Sequence, residues 1–314
     1  MNFKKTPALT STLLFIFTGA CGADNPLERP SEASGTLTSA SAAVFAGEFA
    51  SEFDDYIETA VDGGEAKDAS SDALDGETQN AYLAQATQNN SNLVVPNSVT
   101  GCEPTISGDS TDADLDLIPV DQTQRVDCST SLLGVSIELK GTVKAQDKDD
   151  SNDEGGFIVS IDDFLMSFTG NGSTVSSLIN MYAEGTKNDT THVGVFDMVS
   201  KTTQGSETME IGMFLDTTIT PTNMSDPKQA GTIDNFSGFF KVGGTVDNTA
   251  FDVVIAISSE NLSYNKTDCP SNRIKSGTII LTDGSSNKLE AIYTNCTASY
   301  EFNDTAITPT RDIK

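Results

Sequence analysis

From about Cys102 onward the apolar side chains of this chain fall on every second residue. Val135, Ile137, Leu139 and Val143 alternate with Ser136, Glu138, Lys140 and Thr142. Met209, Ile211, Met213 and Leu215 keep the same beat, as do Phe251, Val253, Ile255 and Ile257. A period of two is that of a strand with one face buried and one face wet. Val193, Val195 and Val199 read as a further strand, and Phe236, Phe240 and Val242 as another. Between residues 157 and 168 the phase slips, because Phe157, Val159 and Ile161 give way to Phe164, Met166 and Phe168. One extra residue in the strand, a β-bulge at Asp162-Asp163, accounts for the slip. Turn-forming clusters such as Thr169-Gly170-Asn171-Gly172 and Gly243-Gly244 punctuate the runs. No helical period lies between them, so parallel βαβ units are excluded as the main plan. The expected fold is mainly β: an antiparallel meander of about nine or ten strands, barrel-like or sandwich-like, over residues 97–306. Residues 307–314 read as a tail.

The chain before this domain has a different pattern. Phe45, Phe49, Phe53, Ile57 and Val61 recur every four residues, with Glu48, Glu52, Asp54, Asp55 and Glu58 on the other side. That spacing predicts an amphipathic helix over residues 39–61, ended by Gly63-Gly64. Its polar face is acidic, which disfavours a membrane-surface role and points the apolar face at the β-domain. An acidic linker and a weaker helical stretch complete the segment 39–96. Residues 21–38, containing Pro, Ser and Gly without an apolar period, read as a flexible tether.

At the start, Lys4 and Lys5 precede an apolar run at 9–17 and then Thr18-Gly19-Ala20-Cys21. A positive region, a short apolar core and small residues describe an export signal over residues 1–20. The run is below the roughly 20 residues that a bilayer span needs. The arrangement resembles a bacterial lipoprotein precursor. That resemblance implies lipidation of Cys21, an acyl anchor in the membrane, and a place in the cell envelope, at the outer membrane. Thr18 stands where such signals usually carry an aliphatic residue, and ordinary secretion with cleavage after Ala20 or Ala23 is the alternative.

Setting Cys21 aside leaves Cys102, Cys128, Cys269 and Cys296, an even set that reads as two disulfides in an exported chain. Three connectivities are open. The simplest pairs Cys102 with Cys128 and Cys269 with Cys296. The second pair brackets a hairpin at 274–282 and 288–295, turned at Asp283-Gly284-Ser285-Ser286, whose antiparallel strands bring its two ends together. No CxxC or CxH spacing is present, so these cysteines do not read as metal ligands.

Formal charge is −28, and loss of Lys4 and Lys5 with the signal takes it to −30. Such a surface repels nucleic acid and anionic headgroups, so neither is an expected direct partner. Two acidic clusters, Asp112 to Asp116 and Asp147 to Glu154, place oxygens at alternate positions. Both lack the glycine and closing glutamate of an EF-hand, and solvated loops account for them. No metal or other cofactor is expected.

Gly108-Asp109-Ser110 and Asp189-Thr190-Thr191-His192 resemble the GDS and DxxH motifs of GDSL-type hydrolases, which implies Ser110, Asp189 and His192 as a triad. That family needs an α/β sandwich, with its DxxH near the end of the domain. Here the histidine enters a strand in mid-meander and reads as a solvated residue at the strand start. No catalytic residue is expected, and the chain reads as a non-enzyme.

The methionines are the less ordinary feature. Met166, Met181, Met198, Met209 and Met213 fall in one central stretch with Phe164, Phe168, Phe196 and Phe214. Flexible, polarizable side chains gathered in one region suit an adaptable apolar cavity. With the amphipathic helix as cover, the outline is similar to LolA-like and LppX-like carriers, built as an open barrel with a helical lid. That similarity implies an acyl chain or another apolar small molecule as ligand. The broader expectation is a lipid-anchored module that binds an envelope protein or such a ligand.

Overall fold

A computed structural model of the chain describes residues 27–43, 46 and 105–309, apart from 114–118, 133, 152–155, 171, 189, 228, 247–248 and 271–273. The export signal, Cys21, most of the predicted helix and linker, Cys102 and Asp189 lie outside the described residues. The described strands are β1 (Thr105–Asp109), β2 (Asp121–Leu132), β3 (Val135–Asp147), β4 (Phe157–Gly170), β5 (Ser173–Lys187), β6 (His192–Gln204) and β7 (Glu207–Pro221). They continue as β8 (Ala230–Val246), β9 (Thr249–Asn265), β10 (Ile274–Thr282), β11 (Lys288–Thr294), β12 (Thr297–Phe302) and β13 (Thr305–Ile307).

All thirteen form one antiparallel sheet in chain order, with β1 and β13 at its two open ends. The meander is as expected. The count of nine or ten strands is corrected to thirteen, and the sheet is neither closed into a barrel nor split into a two-layered sandwich. Part of the shortfall has a local cause. β11, β12 and β13 are joined by the two-residue turns Asn295-Cys296 and Asn303-Asp304, all four residues at positive φ. That is the hairpin geometry which glycine usually announces, here built from Asn, Cys and Asp. The reverse error occurs at Gly243-Gly244, which is not a turn but lies within β8. A Cβ on Gly244 would fall 2.1 Å from the Thr208 carbonyl oxygen, so close backbone approach to β7 requires the glycine.

The bulge in β4 is where the phase slip placed it. Pairing with β5 jumps from Ile161 to Phe164, and Asp163 sits at φ 49° with its N–H donating to Asn180 Oδ1 at 2.8 Å. The extra residue keeps Ile161 and Phe164 on one face.

That face, called inner below, carries the main apolar core, from Ala145 on β3 to Phe302 on β12. A smaller cluster of Val126, Ile137 and Leu139 joins it through Phe164 and Met166. On β6 the inward set is Phe196 and Met198 rather than Val193, Val195 and Val199, and Val193 is exposed. Both faces of β6 are apolar, so alternation could not choose between them. Pairing with β5 and β7 does.

Residues 27–38, expected as a free tether, are held against the sheet. Arg29 donates from Nε to Asp197 Oδ2 and from Nη1 to Asp216 Oδ2, each at 2.7 Å, on the outer face. Asp197 is wholly buried. Burial alone would lower the Arg29 pKa, but hydrogen bonds and charge attraction from Asp197 and Asp216 outweigh it and raise the value. Ser34 then exchanges backbone hydrogen bonds with Val254 at the edge of β9, beyond the end of β10. Leu37 reaches the inner core. The chain therefore passes round the β9 edge from one face to the other.

Residues 39–43 and 46 are helical. Thr38 caps the helix: Ser41 N–H donates to Thr38 Oγ1 and Thr38 N–H donates to Ser41 Oγ, a reciprocal capping box. Ala42 and Ala46, four residues apart on one helix face, are fully buried against the sheet.

Candidate functional site

The register of β4 to β9 aligns the methionines. Ile161 pairs with Met181, Met181 with Met198, Met198 with Met213, Met213 with Phe240, and Phe240 with Ile255. Directly opposed residues of antiparallel strands have Cβ atoms about 4.5–5.5 Å apart, so these side chains form one continuous apolar row across six strands. Met181 and Met198 are buried, at 1% and 2% exposure. Ile161, Met213 and Phe240 are partly buried at the margin of the core.

The neighbouring rows extend the face. On one side Val159, Ala183, Phe196 and Leu215 are paired in turn. On the other side Phe164, Ile179, Ser200, Ile211, Val242 and Val253 follow one another. Beyond that row, Met166 and Met209 are separated by Ser177 and Thr202. Ser200 is 3% exposed, and its Oγ has no hydrogen-bond partner. None of the residues in these rows is charged.

Of the nine residues expected to line a cavity, Met181, Met198, Met213, Phe196, Phe164, Met166, Met209 and Phe168 share the inner face. Phe214 does not. It is paired with Asp197 in the outer-face row that includes Tyr182, and is almost fully buried there. Phe240 and Ile255 were read from the sequence as strand residues but not as part of this face, and Ser200 was not singled out. Extending the inward phase of Phe196 and Met198 by two residues would have found Ser200.

Where Ala46 packs on the sheet the face is closed. The seam between Ala46 and Ile279, Leu281, Leu289, Ala291 and Tyr300 has no room for a water molecule. Most of the apolar surface that is only partly buried lies on β3 to β9 and includes Val143, Ile161, Phe164, Met166, Met213 and Phe240, with Ala298 on β12 and Ile307 on β13 besides.

The cysteines follow expectation as far as they are described. Cys269 and Cys296 are disulfide-bonded with Cα atoms 5.3 Å apart, bracketing the β10–β11 hairpin. Cys128 on β2 is disulfide-bonded too, and its expected partner, Cys102, lies outside the described residues. The turn of the β10–β11 hairpin is organised by Asp283, whose carboxylate accepts from the backbone N–H groups of Ser285 and Asn287 and from Asn287 Nδ2, each at 2.8 Å.

The hydrolase-like residues are not assembled. Ser110 is exposed just after β1, whereas His192 begins β6, with four strands between them in the sheet. His192 is not the solvated residue expected. It is 4% exposed, because the register places it opposite Ile219 on the inner face. Among the described residues no group of three or more His, Cys, Asp or Glu side chains is placed to hold a metal ion.

No family model matches the chain, and neither a curated protein nor a solved structure does.

Proposed function

We propose that this chain is a lipid-anchored, non-enzymatic cell-envelope protein that acts as a binding module, and that its ligand is an apolar small molecule such as a lipid or acyl chain. The single observation that carries the reading is the row Met181–Met198–Met213, continued by Phe240 and flanked by uncharged rows on the same face. Methionine adapts its three side-chain torsions to the shape of what it touches, which suits a face that binds a flexible chain. Phe164, Met166, Met213 and Phe240 on that face are only partly buried, which leaves apolar surface that a ligand can cover. The anchor at Cys21 would hold this face at the outer membrane, within reach of lipid.

Two measurements test it. Feeding cells an alkyne-tagged palmitate should label the protein, and Cys21→Ser should abolish the label. Native mass spectrometry of protein purified without detergent should find co-purifying lipid. An unlabelled wild type would remove the anchor. A protein that carries no lipid and takes up none from vesicles would remove the ligand.

A further inference from the structure

Among the described residues, the inner face holds a buried hydroxyl that nothing in the fold accounts for. Ser200 lies between Ile179 and Ile211, its direct partners on β5 and β7. It is two residues from Met198 on the same strand face, about 7 Å along the strand. Its hydroxyl is shut off from solvent, and no group accepts from it or donates to it. A buried hydroxyl without a partner destabilises a fold, whereas alanine at the same place would not. Ser160 Oγ is likewise buried without a partner, but Ser160 pairs with Tyr182 in the outer-face row and is not part of an apolar row.

We propose that Ser200 supplies the polar contact by which this face recognises its ligand, an acyl ester whose carbonyl oxygen accepts a hydrogen bond from Ser200 Oγ while the hydrocarbon lies along the methionine row. This rests on the apolar-ligand reading above. The class of ligand follows from the chemistry of the surroundings. A serine hydroxyl donates one hydrogen bond and carries no charge. The rows around it are uncharged, so a carboxylate or phosphate at this point would be desolvated without a counter-charge. A neutral carbonyl meets the hydroxyl with no such penalty. Met198 and Met213 have the torsional freedom to move aside and admit the chain.

The test titrates the full-length protein with two probes: the methyl ester of a fluorescent polyene fatty acid, and diphenylhexatriene, a hydrocarbon of similar length with no hydrogen-bonding group. Ser200→Ala should bind the ester about five- to tenfold more weakly than wild type. It should bind the hydrocarbon equally well, and without ligand it should unfold at the same or a higher temperature. Ser200→Thr keeps the hydroxyl and should keep the preference for the ester. Equal ester binding by Ser200→Ala and wild type would overturn the role of Ser200 and leave the apolar-ligand reading standing. A ligand-free Ser200→Ala that unfolds at a lower temperature would overturn it as well, because the hydroxyl would then have a structural partner. A wild type that binds neither probe would overturn both.

Discussion

The Asp283 carboxylate accepts the backbone N–H of Leu37 at 2.6 Å across 246 residues of sequence, tying the N-terminal segment to the turn between β10 and β11. The same side chain builds that turn through Ser285 and Asn287. Two structures, the hairpin turn and the crossing of the chain to the inner face, therefore depend on one buried carboxylate.

Burial alone would raise the Asp283 pKa, but hydrogen bonds from Asn287, Leu37 and Ser285 outweigh it and leave the value below the ordinary carboxylate range. A depressed folded value means that the stabilisation is complete above the unfolded value, near 4, and is lost as pH falls through the folded value. Denaturant melts at stepped pH should show wild-type stability declining below about pH 4, with a shallower decline in Asp283→Asn. Identical acid slopes would contradict the assignment.

Removing Arg29 leaves Asp197 buried without its cation. Arg29→Ala should lower unfolding free energy by about 3 kcal/mol, the low end for a broken buried pair because Arg29 is itself partly exposed. Arg29→Lys keeps the charge but loses the forked contact to both carboxylates, and should fall in between. Urea melts decide the order of the three proteins, and a wild-type midpoint for Arg29→Ala would refute the clamp.

The Cys269–Cys296 bridge closes a loop with a sequence separation of 27. The loop-closure model assigns such a bridge about 3–4 kcal/mol. The double serine variant should lose stability of that order, read from its guanidinium midpoint, while its far-ultraviolet spectrum remains that of a β protein.

Met198 is fully buried, so Met198→Ala should cost about 2–5 kcal/mol, whereas Met198→Leu conserves volume and should cost less than about 1.5 kcal/mol. If the methionine row also binds ligand, Met198→Leu should weaken binding of a polyene probe more than its small stability change accounts for. Equal affinity with wild type would assign Met198 to packing alone.

Gly238 adopts φ 150°, and a Cβ there would fall 1.8 Å from the Phe214 carbonyl oxygen. Gly238→Ala should therefore lower stability by at least about 2 kcal/mol, through strain and displaced pairing of β7 with β8. A thermal melt unchanged from wild type would show that the two strands separate there without penalty.

Strand polarity, the bulge and one hairpin could be read from residue order because each depends on neighbours close in the chain. The phase slip at Asp162-Asp163 and the turn at Asp283 are of this kind: period-two alternation and local turn chemistry act over a few residues. The Asn295-Cys296 and Asn303-Asp304 turns were missed because their positive φ values are adopted without glycine. The face that β6 turns inward was beyond local reading, since Val193 and Phe196 are equally apolar and only pairing with β5 and β7 breaks the tie. The meeting of Met181, Met198 and Met213 in one row, the hydroxyl of Ser200 in the row beside it, and the reach of Arg29 to Asp197 all depend on register between strands. Register is a property of the assembled sheet, because it is settled by hydrogen bonding and burial summed along whole strands.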